Sequence, residues 1–192
     1  MANKVRTDFT IVTSGTAPSD TQTLGALTGV AGTHRLAIAR TGANGTKRFV
    51  LTAASQANAG CAAFIRLPAI DVAASHGELL LRSNLAIDTY YKARTRENDY
   101  VISKVIASVE TILGTVVHGT IQNHIIEYRF IALGTTLQLE TKNLSLAEGV
   151  FTKQLELIDA SIPGAGAPGF GANMLDSDSK VIDFDNWRWF GT

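Results

Sequence analysis

The sequence predicts an all-β protein, an antiparallel sandwich or barrel, and three observations carry that expectation. Short runs rich in β-branched and aromatic residues recur from one end of the 192 residues to the other, each closed by Gly, Asn, Asp or Ser. Helical periodicity is nearly absent. The links between runs are too short for the crossovers that parallel strands require, so neighbouring strands pair antiparallel. A chain of this length fits one domain, since all-β sandwiches commonly reach it undivided, and 45% hydrophobic residues supply an ample core.

Seventeen basic residues balance seventeen acidic ones, so no net field draws the chain onto nucleic acid or an anionic membrane. Neither is an expected partner. Charged residues make up 18% of the chain, against roughly 25% in an ordinary soluble domain, which leaves the surface to Thr, Ser, Asn, Ala and Gly. The single cysteine, Cys61 in GCAAFIRL, excludes an internal disulfide and reads as a small buried side chain. The start, MANKVRTDFTIVTSG, lacks the apolar stretch of a signal peptide, and no run approaches the ~18 apolar residues of a membrane span. Synthesis in the cytosol is expected.

Taken in order, the first thirty residues are polar and Thr-rich around one apolar cluster, Phe9-Thr10-Ile11-Val12. They predict an extended N-terminal arm over 1–30 with an edge strand at 9–13, ahead of a sandwich domain at 31–192. Further strands are expected at 34–40, 47–53, 61–67, 78–83, 87–93, 100–106, 108–117, 125–132, 136–141, 150–159 and 181–189. Asn44-Gly45 is a strong hairpin signal between the first two of these, because the pair accepts the left-handed conformation of a tight turn. IALGTTLQLE repeats the device at Gly134, and Leu137 and Leu139 alternate there with Thr136, Gln138 and Glu140, so that strand has one buried face. NLSLAEG is the only helical turn expected. IPGAGAPGFGANMLDSDSK has no periodicity and is dense in Gly, Pro and Ala, which predicts a long surface loop. In the last strand Ile182 and Phe184 share a face, yet the next large apolar residues are Trp187 and Trp189; the slip at Asp185-Asn186 predicts a β-bulge.

The stretch HGELLLRSNLAIDTYYKARTREN reads as two adjacent strands. Leu79 and Leu81 share one face, with Leu80 and Arg82 on the other, so Arg82 is expected at a strand end with its head in solvent or on a carboxylate. Tyr90 and Tyr91 must face opposite sides of their strand, one in the core and the other exposed or lining a groove.

This stretch, the strand DYVISKVIASVETILGT after it, IEYRFIALGTTLQLE, and GAPGFGANMLDSDSKVIDFDNWRWF together resemble the concanavalin A-like jelly-roll domains of lectins, glucanases and laminin G-like modules. The likeness covers about residues 77–189. It implies an antiparallel two-sheet jelly-roll β-sandwich.

Glycan-cleaving members of that fold carry a Glu-x-Asp-x-x-Glu pattern on one strand, because nucleophile and general acid must flank the scissile bond at fixed separation. Neither ELIDAS (Glu156, Asp159) nor VIDFDN matches it. Other catalytic signatures are missing too: Gly-x-Ser-x-Gly, His-Glu-x-x-His and the phosphate-cradling Gly-Lys-Ser. His34, His76, His118 and His124 are scattered and read as polar strand-end residues. A non-enzymatic protein is expected. For glycan binding the candidates are Tyr90, Tyr91, Trp187 and Trp189, with Arg188 stacking between the tryptophans; against that, a sandwich of this size uses most of its aromatics to fill the core. No cofactor is required. Asp176, Asp178, Asp183 and Asp185 lie close together in sequence and leave open a structural calcium, which wants six or more oxygen ligands, and the resemblance allows one near the closing strand; the alternative is a solvated acidic loop.

The resemblance also extends to domains of this fold in bacteriophage virions. On that analogy the leading expectation is a capsid decoration, or cement, protein on the virion surface. It would bind the major capsid protein or other virion subunits, assemble as a homotrimer, and dock an arm through Phe9, Ile11, Val12, Leu24 and Leu27. The alternative expectation is a carbohydrate-binding or receptor-binding module.

Overall fold

The structure is a computed structural model that describes residues 4–5, 22–26, 34–39, 45–50, 55–67, 75–174 and 181–191. Its strands form two antiparallel sheets. The first runs β12 (Thr152–Ile158), β11 (Thr136–Asn143), β10 (Ile125–Leu133), β5 (Ala59–Arg66), β14 (Val181–Gly191), β3 (His34–Ala39) and β2 (Gln22–Ala26), with β1 (Lys4–Val5) paired on β14. The second runs β4 (Gly45–Val50), β13 (Ala167–Met174), β6 (His76–Asn84), β7 (Thr89–Thr95), β8 (Asp99–Ile106) and β9 (Val109–Val117). Two 3-10 turns, at Leu85–Ile87 and Leu144–Leu146, are the only helical pieces among the described residues. The second is the turn that NLSLAEG predicts, and the Asn143 side chain caps it by accepting from the Leu146 N–H.

Strand alternation builds the core. Tyr128, Phe130, Leu137, Leu139 and Phe184 of the first sheet meet Leu79, Leu81, Tyr91, Ile102 and Phe170 of the second, all buried. Each such side chain contributes about 1.5–3 kcal/mol by leaving water. Phe170 links the sheets most directly, with ring centroids 5.2 Å from Phe184 and 5.7 Å from Trp187. The tight turn at Gly134 is present, with φ +55° and Leu133 opposite Thr136. The bulge at the end of the last strand is present as well: the β14–β5 register slips between Asp185 and Arg188, which returns Trp187 and Trp189 to the core face.

Several expectations are corrected. The Gly- and Pro-dense segment is no surface loop over its middle part, because Ala167–Met174 is a strand flanked on both sides by β4 and β6. Its alternation is one of size: Phe170 and Ala172 face the core, whereas Gly169 and Gly171 occupy the other face. Pro168, which has no N–H to give, sits where the register shifts between Ala167 and Gly169. The residues around Asn44-Gly45 do not join a hairpin. β3 pairs with β14 and β2 in one sheet while β4 pairs with β13 in the other, so long-range pairing overrides the local turn signal. The expected edge strand at 9–13 lies outside the described residues, as do Phe9, Ile11, Val12 and Leu27. Within 1–30 the described strands are β1 and β2, and Leu24 stands opposite Leu36 in the β2–β3 ladder.

Arg82 also departs from expectation. Its φ is +52° and the β6–β7 register slips between Leu81 and Asn84, so it leaves the strand's alternation. It reaches neither solvent nor a carboxylate. The guanidinium is buried and donates to the carbonyl oxygens of Ala57 and Ile162, both at 2.8 Å, and of Gly134. Tyr91 lies alongside, 5.7 Å from ring centroid to guanidinium, and donates through its hydroxyl to Asp159 at 2.7 Å. One side chain thus ties three loops at one end of the sandwich. Gly166 is required beside it, since a Cβ there would lie 2.2 Å from the Arg82 carbonyl carbon.

Arg82→Met should leave three carbonyls without their donor, the buried one of Ile162 among them, and cost about 3 kcal/mol, read as a lower urea midpoint. Cys61 is fully buried and burial pushes its thiol pKa far up; it should resist a disulfide reagent in the native protein and react on unfolding.

Candidate functional site on the outer face of the second sheet

The residues that alternate with the core positions of β4, β13, β6, β7, β8 and β9 point away from the first sheet, and most of those on β6 and β7 are nevertheless buried. They divide into two zones. Val50, Leu80, Tyr90, Val105 and Ala167 form a small apolar cluster. Beside it runs a chain of ion pairs that spans the strands.

The chain begins at Arg48, whose Nε lies 2.5 Å from Glu78 Oε1. Arg48 and Glu78 are two strands apart, or about 10 Å, and both stand opposite Gly171 of the intervening β13. The missing side chain at Gly171 is what lets the guanidinium lie across that strand. Glu78 Oε2 is 3.8 Å from Lys92 Nζ and 3.6 Å from His76 Nε2. Lys92 lies 2.9 Å from Glu110, and Arg94 donates to the same carboxylate at 3.0 Å. The Arg48 guanidinium also stands 4.8 Å above the Tyr90 ring. Signs therefore alternate along the row Arg48, Glu78, Lys92, Glu110, Arg94.

Charge pairing controls the ionisation of both carboxylates. Burial by itself would raise the Glu78 pKa, but the Arg48 guanidinium, the His76 hydrogen bond and Lys92 outweigh it and hold the group well below its ordinary range. Burial opposes the same effect at Glu110, where Lys92 and then Arg94 keep the carboxyl low. Burial raises the Tyr90 phenol. The row runs from enclosed to open: the Glu78 side chain is 0% exposed and that of Glu110 34%.

Of the residues proposed from sequence for glycan contact, Tyr90 alone lies on this face. Tyr91 faces the core, and its pKa is pushed up to about 12 by burial and then by the Asp159 carboxylate. Trp187 and Trp189 pack in the core. Arg188 does not stack between them; it lies on the far side of the first sheet, paired with Glu127 beside Lys142. Opposite sides of a strand cannot form one platform, so the five residues do not converge. The residues that do converge, Arg48, Glu78, Lys92, Arg94 and Glu110, carry a faint signal in the sequence: charges alternate with core residues in Glu78-Leu79-Leu80 and Lys92-Ala93-Arg94.

Among the described residues no group of three or more His, Cys, Asp and Glu is placed to hold a metal ion. Asp176 and Asp178 lie outside the described residues; Asp183 and Asp185 lie in β14 opposite Arg66 and Phe64. His124 bonds Asn143 and His118 stacks on Tyr100, 4.0 Å between centroids.

No protein-family model and no curated protein matches the sequence, but its fold is shared with solved structures. A carbohydrate-binding module, CBM66 from Bacillus subtilis, superposes with a TM-score of 0.63 over 89% of this chain and 93% of its own, at 14% identity. The exoplasmic/lumenal domain of VIP36, bound to Ca2+ and Man3GlcNAc, gives 0.63 over 91% and 83% at 10% identity. The GH43 protein BlXynB from Bacillus licheniformis gives 0.61 at 12% identity over 84% of this chain, which spans only 33% of that enzyme. The protein is thus an all-β jelly-roll sandwich, a fold it shares with a carbohydrate-binding module, with the VIP36 lumenal domain and with part of a GH43 protein.

Arg48→Met should strand the Glu78 carboxylate among buried groups and cost about 3–5 kcal/mol in chemical unfolding. Because the folded pKa of Glu78 is below its ordinary 4.5, its ionic contribution is present above that pH and is lost as pH falls towards the folded value. Acid titration of stability should therefore show a steeper fall below 4.5 in the wild type than in Arg48→Met.

Proposed function

We propose that this chain is a non-catalytic carbohydrate-binding module whose ligand rests on the outer face of the second sheet. The observation that carries the proposal is the row of alternating charged donors and acceptors that crosses one face and reaches solvent at Glu110. The hydroxyls of a sugar suit charged groups that are already held in place at the open end of that row. Glu110, at the exposed end of the row, offers the point of entry. The likeness to CBM66 and to the Man3GlcNAc-bound exoplasmic/lumenal domain of VIP36 over most of the chain supports the same reading.

Catalysis fits these residues less well. A glycosidase needs one carboxyl protonated as general acid, with a raised pKa, whereas Glu78 and Glu110 are both held low by cations. The shell-decoration reading, with capsid partners, trimeric assembly and a virion location, draws no support from the structural neighbours, and most of its arm residues lie outside the described ones.

On a glycan array the protein should retain at least one class of saccharide, with saturable binding by calorimetry. Glu110→Gln should weaken that binding roughly fivefold to tenfold, the loss of one charge-assisted contact. Absence of any saccharide binding at millimolar ligand, across plant, microbial and animal glycans, would rule the proposal out.

A further inference from the structure

Strand β9 ends the second sheet, and among the described residues no strand lies beyond it. Six of its nine residues, VETILGTVV, are β-branched, and it has no Lys, Arg or Pro. Ile112 and Val117 are 56% and 78% exposed, and the one charge, Glu110, is held by Lys92 and Arg94. β12, the edge of the first sheet on the same side of the sandwich, is different: Lys153 and Glu156 pair on it in solvent, charges of the kind that block edge-to-edge association. A free edge of β-branched residues without such a guard is a template for another strand.

The strand's own pattern names the occupant. Glu110, Ile112, Thr115 and Val117 stand opposite Val105, Ser103, Val101 and Asp99 of β8 and share the outer face. Leu113 and Val116 pack on the core instead, and a Cβ at Gly114 would lie 3.0 Å from Leu157 Cδ2. Leu113 is the extra residue of a bulge between Ile112 and Gly114. That bulge makes the outward set symmetrical about the Leu113–Gly114 bond: Ile112 and Thr115 are equally far from it, as are Glu110 and Val117. We infer that β9 pairs antiparallel with β9 of a second copy of this chain, about a two-fold axis at that bond, which joins the two second sheets into one. In this register every outward residue meets an outward one, and Glu110 meets Val117 rather than another Glu110. Seventeen basic residues against seventeen acidic leave no net repulsion between copies. Edge pairing uses groups in the plane of the sheet, so the outer face stays open and the inference is independent of what binds there. A contact of two nine-residue strands belongs to the small interface class, under about 1,200 Å2 in total, so the dimer is weak and concentration-dependent.

Sedimentation of the full chain from micromolar to millimolar concentration should show a reversible monomer–dimer equilibrium and no larger species. The register makes the sign of a charge at Val117 decisive. Val117→Glu sets like charges opposite each other twice per dimer and should raise the dimer dissociation constant roughly tenfold. Val117→Lys meets Glu110 of the second copy twice and should keep the wild-type constant or lower it. Both variants, measured as monomers, should match the wild-type urea midpoint, since Val117 is a surface site. A monomer at every concentration overturns the inference and leaves the β9 edge to a strand of another protein. A trimer overturns it as well, because a two-fold pair closes at two copies. So does a dimer whose constant does not separate Val117→Glu from Val117→Lys, which would mark apolar contact without strand register.

Discussion

Strands β6, β7 and β8 are almost wholly buried on both faces, and that constraint organises the molecule. An antiparallel sheet commonly turns one side to water, which lets its polar residues go unpaired. Here Glu78, Lys92, Leu80 and Tyr90 are as enclosed as Leu79 and Tyr91 behind them. An enclosed charge is tolerable only beside an opposite one. The row from Arg48 to Arg94 is the result, with each cation placed against a carboxylate from another strand.

Glycine in β13 makes that row geometrically feasible. Gly171 opens a path for Arg48 across the strand, while Phe170 and Ala172, on the opposite side of the same strand, fill the core against Phe184 and Trp187. One short segment therefore serves both faces through a size alternation, small outward and larger inward. Arg82 does the comparable work at the end of the sandwich, where its left-handed backbone turns a charge inward onto three carbonyls. The loop residues held by that guanidinium include the neighbours of Tyr91 and Asp159, so the edge of the sheet is fixed by hydrogen bonds where apolar packing runs out.

Enclosure and pairing also decide what chemistry the outer face can perform. Carboxylates locked beside guanidinium and ammonium groups are poor proton donors and good hydrogen-bond acceptors. On the saccharide reading proposed above, such a surface would hold a hydroxyl-rich molecule through its open, Glu110 end. Specificity on it would come from buried donors and acceptors placed in advance, whose desolvation makes a mismatched ligand costly.

The sequence by itself determined the fold class, the tight turn at Gly134, the capped turn after Asn143 and the bulge before Trp187, because each follows from local periodicity or from one residue's backbone preference. It also fixed that Tyr90 and Tyr91 would be on opposite faces. Which strands paired was decided only in three dimensions. β3 and β4 joined different sheets despite Asn44-Gly45, and the Gly-rich segment became an interior strand because flanking strands, not its own composition, supplied its hydrogen bonds. The candidate site belongs to that second group. Arg48 and Glu78 are thirty residues apart in sequence and meet only because Gly171, from near the other end of the chain, lies between them with no side chain to keep them apart.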